Sequence, residues 1–360
     1  MSETATHSHV EGKEIDRRFA ASAYNRRVLR NHGVSGRLRV ALVALAAGAF
    51  ASALYTGPAS AGATGGCGSA TSATRAAVDA TVVNDIYANE LAGGEVTRDL
   101  GEVTGSSDLV TAAIDGNRTG ALAAVKRIVY HPGWHIVRLR VFGGAGRVLA
   151  DVGGPYVIAP VAGVLRAAGG AVVGSFLMSV QDDVGVTKLE TRIVGDPIGI
   201  YVRRKLVAQL GAARLPARLP SGSVVRRGHV TYQAVSQTYD AFPTGTLQAV
   251  LLIAPSPRSL NATPCAEVRA DEFGRIARRL VTRLGPADLH GYAFWIRVYT
   301  GAQVFVRDAN GLQLTSSPVP DVGPPVLPES GVVSYQDTSW LVYSFQVAAG
   351  ALLYMLIAMG

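Results

Sequence analysis

The sequence predicts an α+β fold, with helices near the start of the exported region and antiparallel strands after them. Three observations carry this. Apolar residues recur at helical spacing through 67–91 and again through 109–129, with glycines punctuating both runs. His135-Ile-Val-Arg-Leu-Arg-Val-Phe142 then alternates apolar and charged side chains up to Gly143-Gly144-Ala145-Gly146, and Arg147-Val-Leu-Ala-Asp151 resumes, the pattern of two strands joined by a tight turn. Beyond a Pro-rich break at 255–264, a basic helical stretch leads into a series of short strand patterns.

The 360 residues, 48% hydrophobic and 17% charged, suffice for two ordinary cores and exclude a disordered or fibrous chain. About half of the net charge of +8 precedes Val40, and no Arg/Lys stripe interleaved with stacking aromatics follows, so no nucleic-acid partner is expected. Arg26-Arg27, Arg30, Arg37 and Arg39 precede the apolar run from Val40 to Leu54, and Ala59-Ser60-Ala61 closes it. That is the basic region, apolar core and small-residue cleavage site of an export signal. A membrane span needs at least about 17 apolar residues, and this run comes close to that limit, so an uncleaved anchor is the alternative. Residues 1–61 therefore read as a signal peptide or a signal anchor, and the rest as secreted or membrane-anchored outside the cytoplasm. In that compartment the two cysteines, Cys67 and Cys265, most simply form one disulfide, with two unrelated thiols as the alternative.

The expected elements run as follows. A long helix covers Cys67 to Leu91, with Ala77, Val78, Thr81, Val82, Asp85, Ile86 and Asn89 near helical spacing and Gly93-Gly94 as its stop. Ser106 offers an N-cap for a second helix, interrupted near Gly116 and ended by His131-Pro132-Gly133. The hairpin follows, then a Gly/Pro-rich excursion from Gly153 to Gly170, a third strand from Ala171 to Gln181, and a helix capped by Asp182-Asp183 running toward Val194. Ile198 to Arg203, Ser223 to Thr238 and Thr246 to Ile253 read as strands, with 211–222 as a loop. Residues 62–255 form one expected domain, 256–265 a linker and 266–360 a smaller α+β domain of one helix, Glu267 to Leu284, and a sheet. Tyr292 to Thr300 is taken as the first strand of that sheet. Val304-Phe305 through Asn310-Gly311-Leu312 repeats the strand–turn–strand order of 141–150, so the second sheet resembles a reduced copy of the first.

No catalytic pattern stands out. His131 and His135 have the i, i+4 spacing of metal ligands, but Pro132-Gly133 breaks the helix that would align them. Asp182-Asp183 suits capping better than catalysis or calcium. Gly143–Gly146 joins two strands, where a phosphate loop would open a helix. No Gly-x-Ser-x-Gly elbow is present, and neither cysteine has a local base. The chain therefore reads as a non-enzyme without cofactor or metal, the rival being an exported hydrolase with a dispersed site. Binding fits better: Arg138 and Arg140 alternate with Val137, Leu139 and Val141, giving one basic strand face. Arg147, Tyr156, Lys188, Tyr201 and Arg203 lie on segments that could border the same concavity, and guanidinium groups suit a small anionic or amino-acid-like ligand. A solvated sheet face is the plain alternative.

The long N-terminal helix, Leu139–Gly153, the Gly/Pro loop and Gly174–Asp183 together resemble the Cache (PDC, PAS-like) extracytoplasmic sensor domains. The resemblance covers about Cys67 to Ile253. It implies a PAS-like antiparallel sheet flanked by helices, a possible second PAS-like sheet in 266–360, small-metabolite binding outside the membrane, and a membrane signalling partner, since no output module is read in the chain. The Arg-x-x-His of carboxylate-sensing members is matched here by Arg147-Val148-Leu149-Ala150, with alanine in place of the histidine. The expectation is thus a sensing or binding protein, and the alternative a cell-envelope structural or interaction module without a ligand.

Overall fold

The computed structural model describes residues 66–359 apart from 221, 244, 257–261, 285–288, 318–322, 325 and 348–349. The export signal expected in 1–61 and the middle of the 256–265 linker lie outside the described residues. The fold is α+β, with three antiparallel sheets and seven α-helices among the described residues. None of those helices is long and apolar enough to cross a membrane.

The helical start is α1 (Thr71–Ala92), α2 (Gly94–Gly105), α3 (Ser107–Ile114) and α4 (Arg118–Val129). Ser106 Oγ accepts from Leu109 N and Asn117 Oδ1 from Gly120 N, so both halves of the interrupted helix carry side-chain N-caps. Gly93 does end α1, yet α2 follows at once. The buried face of α1 is also turned from the expected one. It holds Val78, Val82, Val83 and Ile86 together with the acids Asp79 and Glu90, while Ala77 and Thr81 face solvent. A count of apolar positions alone rejects those two acids, which are buried because they are hydrogen-bonded.

The first sheet has the order β2 (Val148–Gly153), β1 (Arg138–Gly143), β5 (Val172–Ser179), β4 (Val161–Arg166). Leu139, Val141, Phe176 and Met178 point to one face, where they pack on Leu109, Ala113, Val125 and Ile128 of α3 and α4. The Gly153–Gly170 excursion is more ordered than expected: it holds β4 and the two-residue β3 (Val157–Ile158), and β3 pairs into the second sheet.

The second sheet runs β6 (Gln181–Asp182), β3, β10 (Val230–Phe242), β11 (Gly245–Ile253), β7 (Ile198–Val202), β8 (Lys205–Leu210), with β9 (Val224–Arg227) paired to β10. Before β7 comes α5 (Asp183–Ile193), capped as expected by Asp182, which accepts from Gly185 N at 2.6 Å. The third sheet follows α6 (Cys265–Leu284) and α7 (Leu289–Thr300). Its order is β13 (Gln313–Ser317), β12 (Gln303–Arg307), β16 (Leu352–Ala358), β15 (Thr338–Gln346), β14 (Ser330–Tyr335). It repeats the plan of the first sheet: a hairpin whose first strand is also paired with the last strand of the unit.

Residues 292–300 correct the sequence expectation. They form a helix, because Tyr292, Trp295, Ile296 and Tyr299 are buried at i, i+3, i+4, i+7 spacing, whereas their aromatic and β-branched composition suggests a strand. One apolar cluster joins α1, the second sheet, α6, α7 and the third sheet through Val82, Ile86, Leu251, Phe273, Ile296 and Met355. Side chains on both sides of the Pro-rich segment thus share a core. The Cys67–Cys265 disulfide fastens the start of α1 to the start of α6.

Candidate functional site

The alternation in β1 puts Arg138 and Arg140 on the sheet face opposite the α3–α4 core, and the antiparallel register sets Asp151 of β2 directly across from Arg140. Both arginines converge on that one carboxylate. Arg138 donates from Nε to Asp151 Oδ1 at 2.9 Å and from Nη2 to Oδ2 at 2.8 Å, while Arg140 donates from Nε and Nη2 to Oδ2 at 2.9 and 2.7 Å. Arg138 Nη1 also donates to the Gly154 carbonyl. That contact depends on Gly153, whose φ of +135° brings the backbone so close that a Cβ would lie 2.2 Å from the Val137 carbonyl oxygen. The Phe242 ring at the end of β10 lies under both guanidiniums, 5.4 and 5.7 Å from their carbons.

The side chains of Arg138, Arg140 and Asp151 are 12%, 22% and 23% exposed, so the cluster is neither a solvated face nor a sealed core. Burial opposes ionisation of Asp151, but the two guanidiniums outweigh it and hold the carboxyl below its ordinary range. Two positive charges meet one negative charge, leaving a surplus of one positive charge.

The other residues singled out in the sequence do not join this cluster. Arg147 is exposed in the β1–β2 turn, at the opposite end of the hairpin from Arg138. Tyr156 is half-buried against the α1 core. Lys188 is exposed on α5. Tyr201 faces the side of the second sheet away from α1, with Leu215 and Val225, and donates to the Pro216 carbonyl at 2.8 Å; burial pushes its phenol up to about 12. Arg203 occupies the exposed β7–β8 turn at φ +48°. The two histidines also separate: His131 stacks on Trp134, and His135 Nδ1 lies 3.2 Å from Glu95. A surface groove of about 450 Å³ runs between α6 and β14–β15, lined by Arg278, Thr282, Glu329, Tyr343 and Phe345, none of them foreseen.

Contacts connect the arginine pair to the long helix. Two residues before Phe242 on β10, the Asp240 amide donates to Tyr87 OH of α1 at 3.2 Å, and Tyr239 stacks on Tyr87 with ring centroids 4.3 Å apart. Tyr239 OH in turn donates to the fully buried Glu190 of α5 at 3.3 Å.

A second polar cluster, missed in the sequence, lies where α1 meets α6. Arg275 Nη2 reaches Asp79 at 3.1 Å and Asp196 at 3.3 Å, Arg275 Nε reaches Glu272 at 2.7 Å, and its Nη1 donates to the Val194 carbonyl. Arg75 Nε donates to the other oxygen of Glu272 at 2.7 Å, and its Nη1 to the Ala254 carbonyl at 3.2 Å. The available signal was Asp79 among the apolar positions of α1.

No family model matches the chain and no curated protein matches it. Among solved structures, the chain is similar to the ligand-binding domain of the Campylobacter jejuni chemoreceptor Tlp3 in complex with 4-methylisoleucine, at 8% identity and a TM-score of 0.16, over 80% of this chain and 89% of that one. The Vibrio cholerae LuxQ periplasmic domain matches at 10% identity and a TM-score of 0.14, over 80% of this chain and 96% of that one. The extracellular domain of the putative histidine kinase vpHK1S-Z8 matches at 10% identity and a TM-score of 0.15, over 79% and 92% of the two chains.

Proposed function

We propose that this is a non-enzymatic, extracytoplasmic binding or sensing protein of the Cache-like kind, and that Arg138 and Arg140 receive a small anionic or amino-acid-like ligand. The carrying observation is the charge surplus: two guanidiniums share Asp151, and all three side chains are partly exposed. Arg140 uses only Nε and Nη2 on Asp151, which leaves N–H groups for a second carboxylate. The ring of Phe242 supplies an apolar floor, the mix of apolar surface and few polar anchors typical of small-molecule sites.

Sensing is supported by the contact path from Phe242 along β10 to Tyr87 of α1. A ligand that draws on the arginines more strongly in one packing of α1 than in another shifts the balance between them. Location outside the cytoplasm is supported by the basic–apolar–small pattern before Gly62 and by the Cys67–Cys265 disulfide.

The test is a thermal-shift screen of the full chain against amino acids, mono- and dicarboxylates and phosphate. One chemical class should raise the midpoint with concentration, and Arg140→Ala should abolish that response. A folded protein that responds to nothing in the panel would instead favour an envelope interaction module.

A further inference from the structure

The cluster between α1 and α6 poses a question of charge. Three carboxyls, Asp79, Asp196 and Glu272, face two guanidiniums, Arg75 and Arg275. Five charged groups contact one another here, Arg75 and Asp79 from α1, Asp196 from the segment between α5 and β7, and Glu272 and Arg275 from α6; a sixth, Arg279 one turn further along α6, lies against Gly195 and donates to the Thr191 carbonyl at 3.1 Å. Fully ionised, the five in mutual contact would carry one negative charge in excess, in an interior where the Asp79 side chain has no exposure at all. An unpaired buried charge of that kind costs several kcal/mol and is ordinarily removed by protonation.

The geometry shows where a proton belongs. Glu272 is bound through both oxygens, one to each guanidinium, so it is the ionised member. Asp79 and Asp196 share only Nη2 of Arg275. Asp79 Oδ2 is buried with no N–H or O–H directed at it, and the carboxyl of Asp196 lies within hydrogen-bonding reach of Asp79. Two carboxylates cannot bond to each other; a carboxylic acid and a carboxylate can. The carboxyl oxygens of the three acids lie within 4.8 Å of one another, a spacing compatible with a metal ion, but Arg275 contacts all three and already supplies the cation.

We propose that this cluster is a proton-binding latch: one proton held between Asp79 and Asp196 at neutral pH balances it and keeps α1 clamped to α6, and loss of that proton loosens the clamp. Burial, then the nearby carboxylates of Glu272 and Asp196, hold Asp79 well above its ordinary range, and burial raises Asp196 as well. Glu272 goes the other way: burial opposes its ionisation, but Arg275 and Arg75 hold it low. For a group raised in the folded state, the associated stability is complete below the unfolded value and declines as pH climbs through the folded one. Acid therefore tightens the α1–α6 contact and alkali relaxes it.

The experiment follows the thermal midpoint of the full chain, with its disulfide intact, between about pH 5 and about pH 9, the range above ordinary carboxylate values. The wild-type midpoint should fall with rising pH. Asp79→Asn and Asp196→Asn, each a neutral stand-in for the protonated acid, should flatten the curve by several degrees and approach or overtake wild type at the alkaline end. A wild-type midpoint that rises through this range would overturn the proposal, and so would variant curves parallel to wild type. If neither variant folds, infrared spectroscopy of wild type and of Glu190→Gln keeps the question open to refutation. The carbonyl band of a protonated carboxylic acid should persist at neutral pH in Glu190→Gln, and its absence there would contradict the latch.

Discussion

Two arginine-centred clusters differ in the sign of the charge they leave over. At the β1–β2 hairpin, Arg138 and Arg140 close on Asp151 in a part-exposed position with one positive charge in excess. Where α1 meets α6, Asp79, Asp196 and Glu272 close on Arg75 and Arg275 in the interior with one negative charge in excess. The first is the cluster proposed to be completed by a solute, since its side chains are partly exposed. The second must be completed by something that fits inside, and a proton does. Burial and arithmetic together decide what each cluster can bind, and neither alone would: exposed surplus charge is simply hydrated, and a balanced buried network binds nothing further.

The comparison breaks most sharply at Arg275. Arg275→Met should destabilise the fold by about 3–5 kcal/mol in denaturant unfolding, because it strands Asp79 and Asp196 without their cation. It should also steepen the loss of stability with rising pH, while leaving any anion response at Arg140 in place. A loss under about 1 kcal/mol would mean the cluster is already neutral or wet. The smallest effect belongs to Tyr201, which the sequence grouped with the arginines. Tyr201→Phe removes one hydrogen bond to the Pro216 carbonyl and should cost about 1 kcal/mol. The anion response should be unchanged, since this phenol faces the far side of the second sheet.

Much of the fold was legible locally. The alternation of 135–142, the turn at Gly143–Gly146, the caps at Ser106 and Asp182 and the copied hairpin near Asn310 each carry their own signal. Two elements were lost to composition. In α7 the aromatic residues masked a helical spacing, and α2 begins at the second glycine of the pair that reads as the stop of α1. The arginine pair was visible because it lies on one strand. Its partner Asp151 was not recognised, although the hairpin register, Arg140 opposite Asp151, follows once the turn is fixed. Arg147, Lys188, Tyr201 and Arg203 were grouped by proximity in sequence to strands, and strand neighbours diverge to opposite faces and ends. The acid cluster is wholly tertiary: Asp79, Asp196 and Glu272 come from distant segments. Its only sequence trace is an aspartate on the buried face of α1.

The proposed anion site is tested most directly by excising its internal carboxylate. Asp151→Ala should leave Arg138 and Arg140 uncompensated and lower the thermal midpoint. Acetate should then restore the midpoint in a saturable manner, more than chloride at equal ionic strength, and should not do so in Asp151→Ala/Arg140→Ala. Equal effects of acetate and chloride on all the proteins would show that the guanidinium pair does not accept an external carboxylate, and would contradict the account.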